Sequence, residues 1–330
     1  ADVLGDEAPH PIGSAASADN RDRIAARLLD LGLAPEIQAA VACGRRSAAC
    51  GRVENVVARL GAGGRPALLL SAHRDSVAAG PGAGDDGSGV AVLLELARIF
   101  ADEPPPGRDV IFLFVDGEEV GLLGAEAFVA AHPWAADVEV ALNLDAGGNR
   151  GVATFTRASP GAGPAIAAIA GSVARPHAAS LTATVYALTP YDTDYSAYDR
   201  AGVLTLDLGI GEDKAPYHTP LDRLDALDPG SLQHLGDTAH QAAVALAAVA
   251  LPDGAGGRAY LDLLGWTLWT CPSGAVPWIG IIALVLALAA LADLRRRRLL
   301  APRELGAALL AWPLLLALPT AAGALLALAL

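Results

Sequence analysis

Short, uninterrupted apolar runs alternate with helix-length amphipathic segments through the first 250 residues of the chain. A run such as VIFLFV at 110–115 has no polar side, which is typical of a strand buried on both faces of a sheet. Continuous apolar strands between helices predict an α/β fold of three layers, with a mostly parallel sheet and helices on both faces. The predicted strands are 53–60, 67–72, 110–115, 138–144, 152–156, 184–188 and 203–208, and the predicted helices are 19–32 with its caps, 88–101, 122–131, 162–174, 192–200 and 231–250.

Charge divides the chain into two parts. Of the 36 acidic residues only four lie beyond residue 250, and six of the 23 Lys and Arg residues do, so the first 250 residues carry a net charge of −15 and the tail +2. The first part is long enough to bury one sizeable core. Its acidity argues against a nucleic-acid partner, because binding phosphate needs a basic surface.

The tail has the composition of a membrane anchor. Residues 275–292 contain no charged side chain, which is close to the length that a bilayer core requires. Trp266, Trp269 and Trp278 cluster at its N-terminal end, and four arginines follow at 295–298. Aromatic residues mark the membrane interface, and arginines mark its cytoplasmic side. We therefore expect a membrane protein with C-terminal transmembrane helices at about 275–294 and 305–330, contacting the lipid bilayer through them, and with the first part on the outer or lumenal side.

These features predict three regions: an acidic globular domain at 1–250, a juxtamembrane segment at 251–274 and a transmembrane region at 275–330. The chain has no methionine and stops inside an apolar run, so we expect both ends to be truncated. Cys43 and Cys50 are compatible with a disulfide in an oxidising compartment and equally with two thiols.

Polar residues follow the predicted strands where a parallel sheet binds its ligands. The strand 67–72 leads into His73 and Asp75, and the strand 110–115 leads into Asp116, Glu118 and Glu119. Asp145 ends the strand 138–144, His218 lies in the loop after 203–208, and Asp85 lies in the glycine-rich loop before the helix at 88. Four strand ends that all supply His, Asp or Glu indicate a metal site.

The residue types suit hydrolysis at two divalent metals. Zinc binds imidazole nitrogen and carboxylate oxygen, and a pair of ions about 3.5–4 Å apart needs one bridging carboxylate. His73, Asp85, Glu119, Asp145 and His218 form such a set. Asp75 is placed to orient His73, and Glu118 to act as the general base.

Competing motifs are weak. Residues 82–87 match GxGxxG, but the loop does not follow a strand directly and carries two acids where a pyrophosphate would approach. HExxH, GxSxG and P-loop motifs are absent from the sequence.

The strings SAHRDSVAAGPGAGDDGSGVAVLLELAR, VDGEEVGLLGAEAF, LNLDAGG and PYHTPLDRLDALD resemble the co-catalytic zinc aminopeptidases of metallopeptidase family twenty-eight. DTDYSAY at 192–198 and YLDLLGWTL at 260–268 are most similar to its vacuolar and endoplasmic-reticulum membrane branch, whose members have a span before the peptidase domain. The resemblance covers about residues 50–250 and implies a zinc-exopeptidase-like fold and a peptide substrate.

The resemblance also implies roles for individual residues. Asp85 would bridge two Zn²⁺ ions, with His73 and Asp145 on one metal and Glu119 and His218 on the other. Glu118 would be the catalytic base and Asp75 the residue that orients His73. The chain departs from the common pattern at Asp86, where many members have Asn, and at Arg74, where Tyr or Leu is common. Tyr191 or Tyr195 is a candidate to support the oxyanion, with packing as an equal alternative.

We therefore expect a membrane-anchored di-zinc aminopeptidase. Two alternatives stay open on the same fold. One is a catalytically inactive, receptor-like binding module. The other is a glutaminyl-cyclase or carboxypeptidase type of activity at the same site.

Overall fold

A computed structural model describes residues 2–45, 47–186, 188–189, 191–252 and 256–297. Nine strands are present in this part of the chain: β1 (Glu36–Cys43), β2 (Cys50–Leu60), β3 (Ala67–His73), β4 (Asp109–Val115), β5 (Val138–Leu144), β6 (Arg150–Ala158), β7 (Leu204–Glu212), β8 (Arg258–Asp262) and β9 (Leu268–Pro272). Its helices are α1 (Ala15–Asp30), α2 (Gly87–Asp102), α3 (Leu123–Ala131), α4 (Gly163–Ser172), α5 (Ser180–Tyr186), α6 (Tyr195–Arg200), α7 (Pro229–Ala248) and α8 (Val276–Arg296), with short 3-10 helices at Pro133–Asp137 and Ser273–Ala275.

Seven strands form one mixed sheet in the order β1-β2-β4-β3-β5-β7-β6. The four central strands β4, β3, β5 and β7 are parallel, and the strands on both sides of them are antiparallel. Every residue of β3 and β4 is buried, as their uninterrupted apolar sequences predict. The predicted mostly parallel centre is thus confirmed, within a sheet that is mixed overall.

Helices cover both faces of the sheet. One apolar cluster joins the sheet to α1, α2, α4 and α7, through side chains such as Leu28, Leu93, Ile166 and Leu235. A second cluster on the opposite face includes Phe128 of α3 and Tyr198 of α6. The three-layer arrangement is the predicted one, and it leaves the carboxyl ends of the parallel strands along one edge for a site.

The strand predicted at 184–188 is wrong. Residues 180–186 form the helix α5, in which the Ala183 amide donates to the Ala179 carbonyl and the Thr184 hydroxyl donates to the Ser180 carbonyl. No residue of α5 is buried, so its alternating β-branched sequence has no sheet face to occupy. The edge strand β1 was not predicted. It pairs with β2, and a disulfide joins Cys43 to Cys50.

The chain divides into two compact units, with the boundary after Ser273. The first unit includes the β8–β9 hairpin, which contacts α4 and α5 and occupies the segment that we assigned to a juxtamembrane region. The second unit contains α8. Within the described residues, one helix, Ser273–Arg296, is long and apolar enough to cross a membrane. The span predicted at 305–330 lies outside the described residues.

Candidate metal centre

The parallel register places three strand ends side by side. His73 at the end of β3 lies opposite Val115 of β4, whose next residues are Asp116, Gly117, Glu118 and Glu119. On the other side of β3, Ser71 lies opposite Asn143 of β5, two residues before Asp145. The polar residues that follow these strands therefore converge because the strands end at the same edge of the sheet.

Asp85 lies at the centre of this convergence. One of its carboxylate oxygens is 3.0 Å from Nε2 of His73, and the other is 3.0 Å from Nε2 of His218. His218 Nε2 is also 3.1 Å from an oxygen of Glu119. Asp145 has an oxygen within 4.8 Å of ligand atoms of both His73 and Asp85. The structure thus brings all five proposed ligands together as two triads that share Asp85.

Asp75 contacts Nδ1 of the His73 ring. Nδ1 donates to the backbone carbonyl of Asp75 at 2.9 Å, while the Asp75 carboxylate is 3.7 Å away. Because a carbonyl only accepts, Nδ1 carries the hydrogen and Nε2 is the nitrogen available to a metal. The carboxylate of Asp75 accepts instead from the backbone amides of Glu118 and Glu119, at 3.0 and 3.4 Å. Asp75 therefore orients the Glu118–Glu119 loop as well as His73.

The cluster contains several acidic groups whose negative charges a bound cation would neutralise. Burial raises the pKa of Glu118 and of Asp145 well above their usual range, and burial also raises the pKa of Glu119. Hydrogen bonds with Asp85 and Glu119 raise the pKa of His218 to about 10. Without a metal, protons must neutralise these acids, and a divalent ion removes that need.

The donor set fits zinc. Two imidazole nitrogens and three carboxylates provide the ligand types that zinc binds. One oxygen of Glu119 is buried and has no hydrogen-bond partner among the described residues, which is expected of a ligand atom that points at an ion. Asp85, with each oxygen facing a different histidine, has the geometry of a bridging carboxylate.

Asp222 links three of the ligand-bearing loops, a role that was not assigned to it from the sequence although it lies in the string PYHTPLDRLDALD. Its carboxylate accepts from the backbone amides of Gly84 and Asp85, at 2.7 and 3.1 Å, and from the side-chain amide of Asn149 at 2.8 Å. Asp222 follows His218 by four residues, and Asn149 follows Asp145 by four. This buried carboxylate therefore fixes the backbone that presents Asp85 to both histidines.

Arg74 supplies a second link that sequence reasoning did not assign. Its side chain contacts no metal ligand in these hydrogen bonds: it donates to the carbonyls of Ser17 and Glu54 and forms an ion pair of 3.0 Å with Asp116. Both partners are buried. The pair joins the end of β3 to the end of β4, immediately behind His73 and the Glu118–Glu119 loop.

A cavity of about 330 Å³ opens beside Asp145, and Tyr186, Tyr191 and Tyr217 contribute to its wall. Tyr191 is half exposed there. Tyr195 is buried, with its ring 4.3 Å from the guanidinium of Arg157, and burial raises the pKa of Tyr195 to about 12. Tyr195 thus has the surroundings of a packing residue, whereas Tyr191 lines the cavity that also reaches Asp145.

Comparison with known proteins gives a consistent result. A family model described as Peptidase family M28 matches residues 55–243. The chain is 41% identical over 172 residues to the vacuolar membrane protease of Candida dubliniensis. This alignment covers 52% of this chain and 18% of that protein. It is 34% identical over 191 residues to endoplasmic reticulum metallopeptidase 1 of Rattus norvegicus, covering 56% of this chain and 21% of that protein. The chain thus spans about a fifth of the length of these curated relatives.

Solved structures share the fold. A leucine aminopeptidase precursor from Bacteroides thetaiotaomicron superposes with a TM-score of 0.60 at 17% identity, covering 74% of this chain and 94% of that one. A glutaminyl cyclase from Porphyromonas gingivalis superposes with a TM-score of 0.59 at 24% identity, covering 73% and 95%. At these identities the likeness concerns the fold alone. The family match covers more than half of the chain and includes all five proposed metal ligands. The chain belongs to peptidase family M28, a family of zinc-dependent hydrolases.

Proposed function

We propose that this chain is the catalytic part of a membrane-anchored aminopeptidase that uses two zinc ions. The observation that carries the proposal is the position of Asp85, a buried carboxylate whose two oxygens face two different histidines. His73 and Asp145 would hold one ion, and Glu119 and His218 the other. The names of the curated relatives, a membrane protease and a metallopeptidase, support peptide hydrolysis at a membrane.

Zinc at such a site polarises the scissile carbonyl and lowers the pKa of a bound water. The residues of the chain would do the rest. Glu118 is half-buried beside the ligands and belongs to neither ligand triad, so its carboxyl group would take a proton from water and return it to the leaving amine. The backbone amide of Glu118, held by Asp75 at 3.0 Å, fixes the direction of this side chain.

An excess of buried acid favours a substrate with a free amino terminus. Beyond the proposed ligands, the half-buried Glu118 and the buried Asp194 lie near the centre, and the charge of Asp194 acts on Glu118. A cationic group relieves the repulsion between such carboxylates. The α-ammonium of a peptide is a cation at the end that an aminopeptidase must recognise. The free amine is therefore the expected specificity element.

The membrane part of the proposal rests on the apolar helix Ser273–Arg296 and on the arginines at its end. Positive charge favours the cytoplasmic side of a bilayer. The peptidase unit would then face the outer or lumenal side, where a disulfide such as Cys43–Cys50 persists.

A panel of matched peptides tests the activity. The zinc-loaded chain should release the first residue of peptides with a free amino terminus and leave N-acetylated versions intact. A chelator should abolish release and added zinc should restore it. Release from the carboxyl terminus, or loss of ammonia from peptides that begin with Gln without cleavage, would instead indicate carboxypeptidase or cyclase activity. A chain that binds no zinc and cleaves nothing would support the receptor-like alternative.

A further inference from the structure

The β8–β9 hairpin presents large apolar side chains to solvent at its tip. Leu263, Leu264 and Trp266 lie in the turn between the two strands, and Leu264 and Trp266 are 83% and 82% exposed. Leu261 and Trp269 lie directly opposite each other across the hairpin and are each about half exposed. These five residues, called the tip patch below, belong to none of the hydrophobic core clusters of the unit that carries them.

Helix α5, which begins beside the hairpin, also exposes apolar side chains. The Tyr260 amide of β8 donates to the hydroxyl of Ser180 at 2.9 Å, and Ala179 forms a bridge to Leu261, so α5 begins beside the hairpin. Leu181 and Val185 of α5 are 73% and 53% exposed. They are four residues apart and therefore lie on the same side of the helix.

The turn is ordered rather than loose. The Leu263 amide donates to the Thr267 carbonyl at 2.9 Å, and the Gly265 amide donates to the Asp262 carboxylate at 3.2 Å. Leu264 has a φ of 55°, in the left-handed region that favours glycine or asparagine. The fold thus holds a leucine in a costly conformation while leaving its side chain in solvent. An external partner for this side chain would explain that arrangement.

The sequence indicates which partner. From Leu263 to Ala292 the chain contains no Asp, Glu, Lys, Arg or His. The uncharged stretch therefore starts at the hairpin tip and runs, through β9, into the apolar helix that begins at Ser273. Trp combined with Leu is the composition that favours the interface of a lipid bilayer. A protein partner would leave unexplained why the uncharged run is continuous with the candidate span.

We propose that the tip patch is a second membrane-contact surface, which inserts its leucine and tryptophan side chains into the interfacial region of a phospholipid bilayer. The contact belongs to the peptidase unit itself and is additional to the apolar helix. The proposal rests on the membrane anchoring proposed above and is independent of the chemistry at the metal centre.

Spin labels on the full chain in phosphatidylcholine nanodiscs test this directly. The background is Cys271→Ser, which leaves the disulfide-bonded Cys43 and Cys50. Single labels are introduced by Leu264→Cys at the tip, Leu29→Cys on α1 as a control leucine that is 61% exposed, and Ile282→Cys in α8 as the lipid reference. Power saturation with oxygen and with a water-soluble nickel chelate reports whether each label is in lipid, in water or covered by protein.

We expect the ratio of oxygen to nickel accessibility at position 264 to be several-fold higher than at 29 and to approach that at 282. Adding Leu263→Asp and Trp266→Asp should return the label at 264 to the values at 29, whereas adding Val41→Asp, at an exposed position on β1, should change nothing. A water-like ratio at 264 would overturn the proposal, and so would low accessibility to both reagents, which indicates a protein partner. A water-like ratio at 282 would overturn it as well, because the chain would then not be in the bilayer.

Discussion

The carboxylate of Asp222 accepts a hydrogen bond of 3.1 Å from the backbone amide of Asp85, the residue whose two oxygens face the two histidines of the centre. The same carboxylate accepts from Gly84 and from Asn149. One buried side chain thus controls the backbone that carries the shared ligand. Its influence on the metals is indirect, because it acts through the position of Asp85.

Replacing Asp222 with Asn should therefore weaken zinc binding. The amide of Asn would direct hydrogens at the backbone amides that Asp222 now accepts from, and residues that orient metal ligands typically affect affinity about 10–100-fold. The measurement is competition with a chromophoric zinc chelator. Asp225→Asn, three residues away, is the control, because Asp225 is exposed and pairs with Arg223 only at 3.9 Å. Equal zinc affinity in both variants would contradict the positioning role.

Glu118 and Glu119 are adjacent in sequence, yet their replacement should have different effects. Glu118→Gln should lower kcat by about 10²–10⁴-fold, because it removes a general base, while two zinc ions per chain remain. Glu119→Gln should lower the zinc content, since Glu119 belongs to a ligand triad. Metal analysis and kinetics on both variants separate the two roles. Full activity of Glu118→Gln would exclude it as the base.

Much of the centre follows from local sequence. Buried apolar runs end just before four residues of the centre: His73, Glu118, Glu119 and Asp145. A wholly apolar run of this length is typical of a central strand in a parallel sheet, so the residues after it are expected at the sheet edge. Asp222 carries no such signal, because its partners Gly84 and Asp85 lie 138 and 137 residues away in the chain. Only the three-dimensional arrangement identifies it.

The errors in the predicted fold have the same origin. The segment at 184–188 has the β-branched residues of a strand, but a strand needs a neighbour, and the nearby sheet partners of Phe155 and Leu261 are Ala178 and Ala179. The edge strand β1 alternates between exposed and half-buried residues and contains Glu36 and Gln38, so it lacks the apolar run that identified the central strands. Tertiary contacts decide both segments, and local propensity does not.

The buried pair of Arg74 and Asp116 should be strongly coupled. Arg74→Leu leaves Asp116 buried without its ion partner and should cost about 3–5 kcal/mol of stability. Burial already raises the pKa of Asp116 to about 6 despite the nearby guanidinium. Arg74→Leu combined with Asp116→Asn should therefore lose less than the sum of the single variants, by at least about 1 kcal/mol. Urea unfolding of the four proteins measures this difference, and strictly additive losses would show that the pair is not coupled.

Asp109 should make stability depend on pH far from the metal centre. Burial alone would raise the pKa of Asp109, but hydrogen bonds from Arg59, the Gly63 amide and Arg65 outweigh it and hold the pKa below its usual value. A carboxyl group with a lowered folded-state pKa stabilises the fold above its unfolded pKa of about 3.9, and the contribution is lost as the pH falls through the folded value. Asp109→Asn should thus cost about 1.5–3 kcal/mol at pH 6, and this cost should shrink progressively below about pH 4.

Glu95→Gln is the matched control, since its pair with Arg98 is exposed and should contribute at most about 0.5 kcal/mol. Denaturant unfolding of chelator-treated protein between pH 3 and 7 keeps metal loss out of the comparison, and a cost for Asp109→Asn that does not change with pH would show that the charge of Asp109 does not stabilise the fold.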